Sequence, residues 1–145
     1  MFKLKKILNK HNNAPEMEKL NLIGDTLGKK ECIYFVRYGE LTPLEFTTDK
    51  IPAYYVIYND VAEGDYDNRA VDCIRITSNM IFEVKYSGTS PQLGDRFVLT
   101  QSNPNAGYDG ISIVENPEDK SHGYVVDSSS LSKNGRVLVR FHCID

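Results

Sequence analysis

Short apolar segments recur along most of the chain after Pro15, and turn-forming residues separate them. β-Branched and aromatic residues are concentrated in eight segments, residues 31–38, 53–60, 70–77, 80–86, 96–101, 111–114, 123–127 and 136–142. Gly, Pro, Asn, Asp and Ser lie between them, and these residues favour turns. The pattern predicts a mainly β fold, a small β-barrel or sandwich, in which each segment is a strand.

Two of these segments alternate clearly enough to assign their faces. In residues 80–86 every even-numbered position is apolar or aromatic, so these positions are predicted to face the core. In residues 136–142 the same rule turns Val137, Val139 and Phe141 inward. The intervening polar and basic side chains are then expected at the surface.

A third segment, residues 70–77, carries apolar side chains on both faces. This pattern predicts a strand that is covered on both sides. Residues 78–79 then predict a tight hairpin turn into the next strand, although the glycine preferred in such turns is missing. We expect the charges of this hairpin, Arg75, Glu83 and Lys85, to lie at the surface or at an interface without a catalytic role.

The N-terminal stretch follows a different pattern. The first ten residues contain four lysines and no acidic residue. Their apolar residues lie loosely on one side of a short amphipathic helix, and Pro15 ends the segment. Ten residues make a marginal helix in water, so we predict an arm over residues 1–15, mobile alone and ordered on a partner, followed by a β-rich domain over residues 16–145. The candidate binding residues of this arm are Phe2, Lys3, Leu4, Lys5, Lys6, Ile7, Leu8 and Lys10.

The charge of the chain is unevenly distributed. The whole chain carries −3, so residues 11–145 carry −7 once the four lysines of the first ten residues are set aside. Nucleic-acid binding needs clustered Lys and Arg, which an acidic body lacks. We therefore expect no nucleic-acid partner, and an arm that docks on an acidic protein surface.

Membrane and redox signals are weak. No apolar run approaches the roughly 20 residues of a membrane-spanning helix, and we expect neither membrane insertion nor Sec export. Cys32, Cys73 and Cys143 lie in or beside strand-like segments, without metal-ligand spacing. They are predicted to be buried, reduced and structural, which fits an intracellular folding environment.

The remaining polar clusters predict no catalysis, metal or cofactor. Asp65 and Asp67 alternate as calcium ligands do, but Arg69 occupies the next position, so a solvated loop is expected. Residues 128–130 are serines near His122, but they are typical of a turn. Residues 103–110 lack the glycines and cations of a phosphate-binding loop and predict an exposed loop, one suited to touch a neighbouring subunit.

The order of segments resembles the capsid decoration, or auxiliary capsid, proteins of tailed bacteriophages. The resemblance lies in a basic opening that leads into Lys10–Pro15, a central strand pair at Ile74–Glu83, a Gly-Asp turn that enters a strand at Gly94–Leu99, and a terminal strand at Val137–Phe141. The chain departs from that pattern in residues 103–121 and in the tyrosine-rich strand 53–60.

This resemblance implies a non-enzymatic structural protein that binds the major capsid protein on the outside of the assembled shell and stabilises it. It implies a virion location, host cytoplasm during assembly, and self-association with a trimer favoured. Two alternatives stay open: an OB-like small-barrel adaptor that binds protein or single-stranded nucleic acid, and an enzyme of an unrecognised type.

Overall fold

The fold is all-β throughout the part of the chain that the structure describes. The computed structural model describes residues 1–8, 15–45, 52–62, 64–127 and 135–143. Within these ranges there is no helix, and the strands are β1 (Lys3–Ile7), β2 (Glu18–Asn21), β3 (Ile33–Arg37), β4 (Glu40–Thr42), β5 (Tyr54–Ile57), β6 (Ala70–Arg75), β7 (Met80–Ser87), β8 (Arg96–Thr100), β9 (Gly110–Ile113), β10 (Gly123–Asp127) and β11 (Arg136–Phe141). The predicted mainly β fold is confirmed, and each of the eight predicted segments overlaps a strand.

Six strands form one sheet in the order β1-β7-β11-β10-β8-β9. Strand β7 also pairs in parallel with β9, where Tyr86 lies opposite Ile111 and Ser87 opposite Ser112. This second pairing closes five strands into a barrel and leaves β1 as an additional strand beside β7. The predicted small barrel is therefore present, and its seam lies between β7 and β9.

The other five strands form an antiparallel sheet in the order β2-β6-β5-β3-β4. Its two edge strands approach each other through a bridge between Leu22 and Leu41. Apolar side chains cover both faces of this sheet, as expected for β6, where Val71 and Cys73 join one cluster and Ile74 the other. The two-sided burial of β6 is confirmed.

The main core is one cluster of buried side chains from the six-stranded sheet and from one face of the second sheet. Alternation fills it as predicted: Phe82 and Val84 of β7, and Val137, Val139 and Phe141 of β11, are at most 1% exposed. Phe141 contacts the rings of neighbouring strands, among them Tyr54 of the second sheet, with the centroids 5.0 Å apart. A smaller cluster around Tyr34 and Cys73 fills the far side of the second sheet.

The expected hairpin between residues 70–77 and 80–86 is wrong. Strand β6 belongs to the second sheet and β7 to the six-stranded sheet, and the two do not pair. Strand β6 already has β2 and β5 on its two edges, so no edge is left for β7. Residues 78–79 therefore connect the two sheets instead of turning within one.

The helix expected at the N-terminus is also wrong. Residues 3–7 form β1, which pairs antiparallel with β7. A bulge at Lys5 interrupts the register between Leu4 and Lys6, so that Ile7 faces the core together with Phe2. The extra residue shifts the period-2 alternation by one position, which gives the apolar residues a spacing that imitates a helix.

The loop expected to be exposed at residues 103–110 is partly buried. Residues 106–107 are buried, and Tyr108 forms two backbone hydrogen bonds with Ile33 of β3, at 2.8 and 2.9 Å. The amide of Leu27 also donates to the carbonyl of Asn105 at 2.9 Å. This segment ties the barrel to the second sheet through its own backbone.

Candidate docking face

The structure separates the predicted arm residues into two groups. Lys3, Lys5 and Lys6 are exposed on β1, whereas Phe2 and Ile7 are 0% and 2% exposed in the core. Leu4 and Leu8 are partly buried, and Lys10 lies outside the described residues. The expectation that Phe2 and Ile7 bury against a partner is therefore wrong for the folded chain, because they already pack inside it.

Strand pairing brings further cations beside these lysines. The register places Lys3 opposite Glu83 and Lys6 opposite Ile81 on β7, and Lys85 opposite Arg136 on β11. We call the outward side of β1, β7 and β11 the basic face; its cations are Lys3, Lys5, Lys6, Lys85, Arg136 and Arg140.

The basic face concentrates charge against the trend of the chain. Its three strands contain six basic residues and one acidic residue, a net charge of +5. Because the whole chain carries −3, all other residues together carry −8. The basic face of such a molecule is attracted to an acidic surface, and its other, acidic faces are repelled by that surface.

Glu83 is the acidic residue within this face. Its carboxylate accepts a hydrogen bond from Arg136 Nη1 at 3.2 Å, and Lys5 Nζ lies 3.9 Å from its other oxygen. All three side chains are partly exposed, and ion pairs of this kind contribute about 0–1 kcal/mol. One carboxylate offsets one of the six positive charges, so the face stays strongly positive.

Aromatic side chains continue the face across β10. Tyr124 lies opposite Arg140 on β11 and opposite Arg96 on β8. The ring of His142 lies beside it, with the centroids 5.6 Å apart and the planes tilted by 30°. The Arg140 Nε donates to the carbonyl of Ser78 at 2.7 Å, which fixes its guanidinium near the strand. Rings that alternate with cations are typical of surfaces on which nucleic-acid bases stack.

The two described histidines take different roles. The amide of Leu99 donates to His122 Nδ1 at 3.0 Å, so this ring donates through Nε2 to Glu45, also at 3.0 Å. His142 Nε2 lies 3.2 Å from Ser121 Oγ. Burial lowers the pKa of His142, and the nearby Arg96 and His122 lower it further. The serines 128–130, considered beside His122 in the sequence, lie outside the described residues.

The described cysteines are free thiols. Cys32 and Cys73 are buried, and Cys143 is partly buried. Burial raises the pKa of Cys32 to about 11 and that of Cys73 to about 12. The prediction of buried cysteines is confirmed for two of the three. Across residues 1–8, 15–45, 52–62, 64–127 and 135–143, no group of three or more His, Cys, Asp or Glu is placed to hold a metal ion.

The sequence pattern did not predict that the six cations of the basic face lie together. It predicted outward positions for Lys85 and for the two arginines of β11, but it did not indicate that β1 and β11 lie on either side of β7. This strand order brings residues more than 130 positions apart, such as Lys3 and Arg136, onto one face. A local pattern carries no signal for contacts of that separation.

The described residues contain no helix long and apolar enough to cross a membrane. Comparisons of the chain with protein-family models, with curated proteins and with solved structures found no match.

Proposed function

We propose that this chain is a non-enzymatic structural protein of a virion, which binds the outside of the assembled major capsid shell and stabilises it. The resemblance to capsid decoration proteins supports the choice of partner. The observation that carries the proposal is the basic face, whose three strands have a net charge of +5 although the whole chain has a net charge of −3. Self-association, with a trimer favoured, stays a prediction that analytical ultracentrifugation tests.

The basic face replaces the mobile arm as the contact surface in this proposal. Lys3, Lys5 and Lys6 keep their proposed role of facing acidic capsid groups, but they do so from a strand held in the sheet. A rigid surface loses less conformational entropy on binding than an arm that must become ordered, since fixing each backbone residue costs about 1–2 kcal/mol. Electrostatic contacts between exposed groups weaken as salt rises.

Co-sedimentation with expanded shells of the major capsid protein tests the proposal. The double variant Lys3→Glu, Lys6→Glu reverses two exposed charges on the basic face. The matched control Lys29→Glu, Lys120→Glu makes the same change in net charge at two exposed lysines outside its three strands. We expect the first variant to lose most of its shell occupancy near 0.15 M salt, and the control to retain it.

The outcome that would contradict the proposal is equal occupancy for the wild type and the basic-face variant across a salt series. The adaptor alternative predicts something different, because Tyr124 and His142 flank cations on the same face. That alternative would be favoured if the wild-type chain does not co-sediment with shells but retards the gel migration of single-stranded oligonucleotides at 0.15 M salt.

A further inference from the structure

A polar cavity opens at the seam of the barrel. It has a volume of about 350 Å³ and lies where β7 meets β9, next to the first residue of β11. The polar side chains that line it are those of Lys85, Tyr86, Ser87, Thr100, Ser102, Asp109 and Arg136. Met1 also lines it, and its amino group donates to the carbonyl of Asp109. Ligand sites are often found at the mouths of β-barrels, and this volume falls at the lower end of the range for small-molecule pockets.

Two cations face each other in this cavity. Lys85 and Arg136 are direct partners in the β7–β11 ladder. Like charges opposite each other on neighbouring strands destabilise a sheet. Glu83 accepts a hydrogen bond from Arg136, but it is no direct ladder partner of either cation. A bound anion would interact favourably with both positive charges at once.

The carboxylate in the lining is already engaged. Asp109 accepts hydrogen bonds from the backbone amide of Ser102 at 3.1 Å and from its hydroxyl at 2.6 Å. The hydroxyl of Ser87 donates to the carbonyl of Ile111 at 3.3 Å. Thr100 adds a further hydroxyl to the lining, at the end of β8. The cavity therefore combines Lys85, Arg136 and the amino group of Met1 with one hydrogen-bonded carboxylate and several hydroxyl groups.

We propose that this cavity binds a phosphomonoester, whose dianionic phosphate is held by Lys85 and Arg136 and accepts a hydrogen bond from Thr100. The planar guanidinium of arginine matches two phosphate oxygens, and a lysine supplies a compact second charge. The cavity is larger than a phosphate group, so it also accommodates an organic portion of the ligand. This site goes beyond the docking proposal and does not depend on it.

Calorimetric titration of the full chain with a nucleoside monophosphate, at constant ionic strength, tests the site. Lys85→Gln removes one cation and is expected to weaken binding at least about tenfold, since a hydrogen bond to a charged group is lost. Thr100→Val keeps the shape of the side chain and removes the hydroxyl, for an expected loss of about fivefold. Lys6→Gln is the matched control, because it removes an exposed cation of the same face outside the cavity, and we expect its affinity to equal that of the wild type.

Three results would overturn the proposal. One is the absence of saturable binding by the wild type, and another is equal affinity for Lys85→Gln and Lys6→Gln. The third is equal binding of succinate, which carries two carboxylates and no phosphate. Because no capsid shell enters this titration, its failure leaves the docking proposal standing.

Discussion

Replacing Phe2 by alanine distinguishes a core strand from a mobile arm. The side chain of Phe2 is 0% exposed, and its ring packs edge-on against Phe82 at 6.4 Å and tilted against Phe141 at 5.7 Å. Its backbone amide donates to the carbonyl of Glu31 at 2.7 Å, which fixes the chain just before β1. A side chain in this position belongs to the core as fully as those of the central strands.

The expected cost follows from these contacts. Burial of a phenylalanine side chain contributes about 1.5–3 kcal/mol, and each aromatic pair adds about 0.5–1.5 kcal/mol. Together with the cavity left behind, Phe2→Ala should lower the free energy of unfolding by about 3–5 kcal/mol. Domains are stable by about 5–15 kcal/mol, so the variant should stay folded with much of its stability lost.

Urea denaturation followed by circular dichroism measures this loss. With an m-value of about 2 kcal/mol/M, the midpoint should fall by about 2 M. Lys6→Ala is the control, because it changes an exposed residue of the adjoining strand β1 and should stay within about 0.5 kcal/mol of the wild type. Equal midpoints for Phe2→Ala and Lys6→Ala, at an unchanged m-value, would refute the reasoning and favour a mobile N-terminal arm.

Three further predictions concern the rest of the fold. Gly123→Ala should prevent folding or cost several kcal/mol, because a Cβ there would overlap the carbonyl oxygen of Arg140 and the ring of Phe97; expression and circular dichroism check this. Burial raises the thiol pKa of Cys32 to about 11 and that of Cys73 to about 12. Both thiols should therefore resist alkylation at pH 8 in the native state and react once urea unfolds the chain. Equal alkylation rates in the two states would contradict their burial. The folded state lowers the pKa of His142, so the unfolded chain binds a proton there first as pH falls through about 6.5. The free energy of unfolding should therefore decrease as pH falls through this range, and it should decrease less in His142→Gln. Identical pH profiles of stability for the two proteins would contradict this.

Most of the strands could be predicted because each carries its own local pattern. β7 and β11 alternate over six or more residues, and this alternation places their buried side chains correctly. β2 was missed because it is a four-residue edge strand with one half-buried apolar residue, Leu20. β4 was missed because it is three residues long and follows a turn whose positive-φ residues are Tyr38 and Gly39, where Asn-Gly would be the usual signal.

The errors at the N-terminus and at residues 78–79 have one physical origin. Local patterns give the period of a segment, but pairing partners depend on contacts distant in sequence. The bulge at Lys5 interrupts the period-2 alternation of β1. Both edges of β6 are already paired with β2 and β5, so β7 pairs in the other sheet. A deletion of residues 1–13 would therefore remove a strand together with the lysines. Loss of capsid binding in that variant would not show that these residues act as a separate binding arm.

The lysines of β1 alone have a simpler explanation than partner binding. β1 is an edge strand, and exposed lysines on an edge strand prevent unwanted pairing with another chain. That explanation does not extend to Lys85, Arg136 and Arg140, because β7 and β11 have neighbours on both edges. Protection of an edge thus accounts for one strand of the basic face. The cations of the two inner strands include Lys85 and Arg136, a directly opposed like-charge pair, and they add nothing to that protection. The two proposals assign these cations a role that edge protection does not supply.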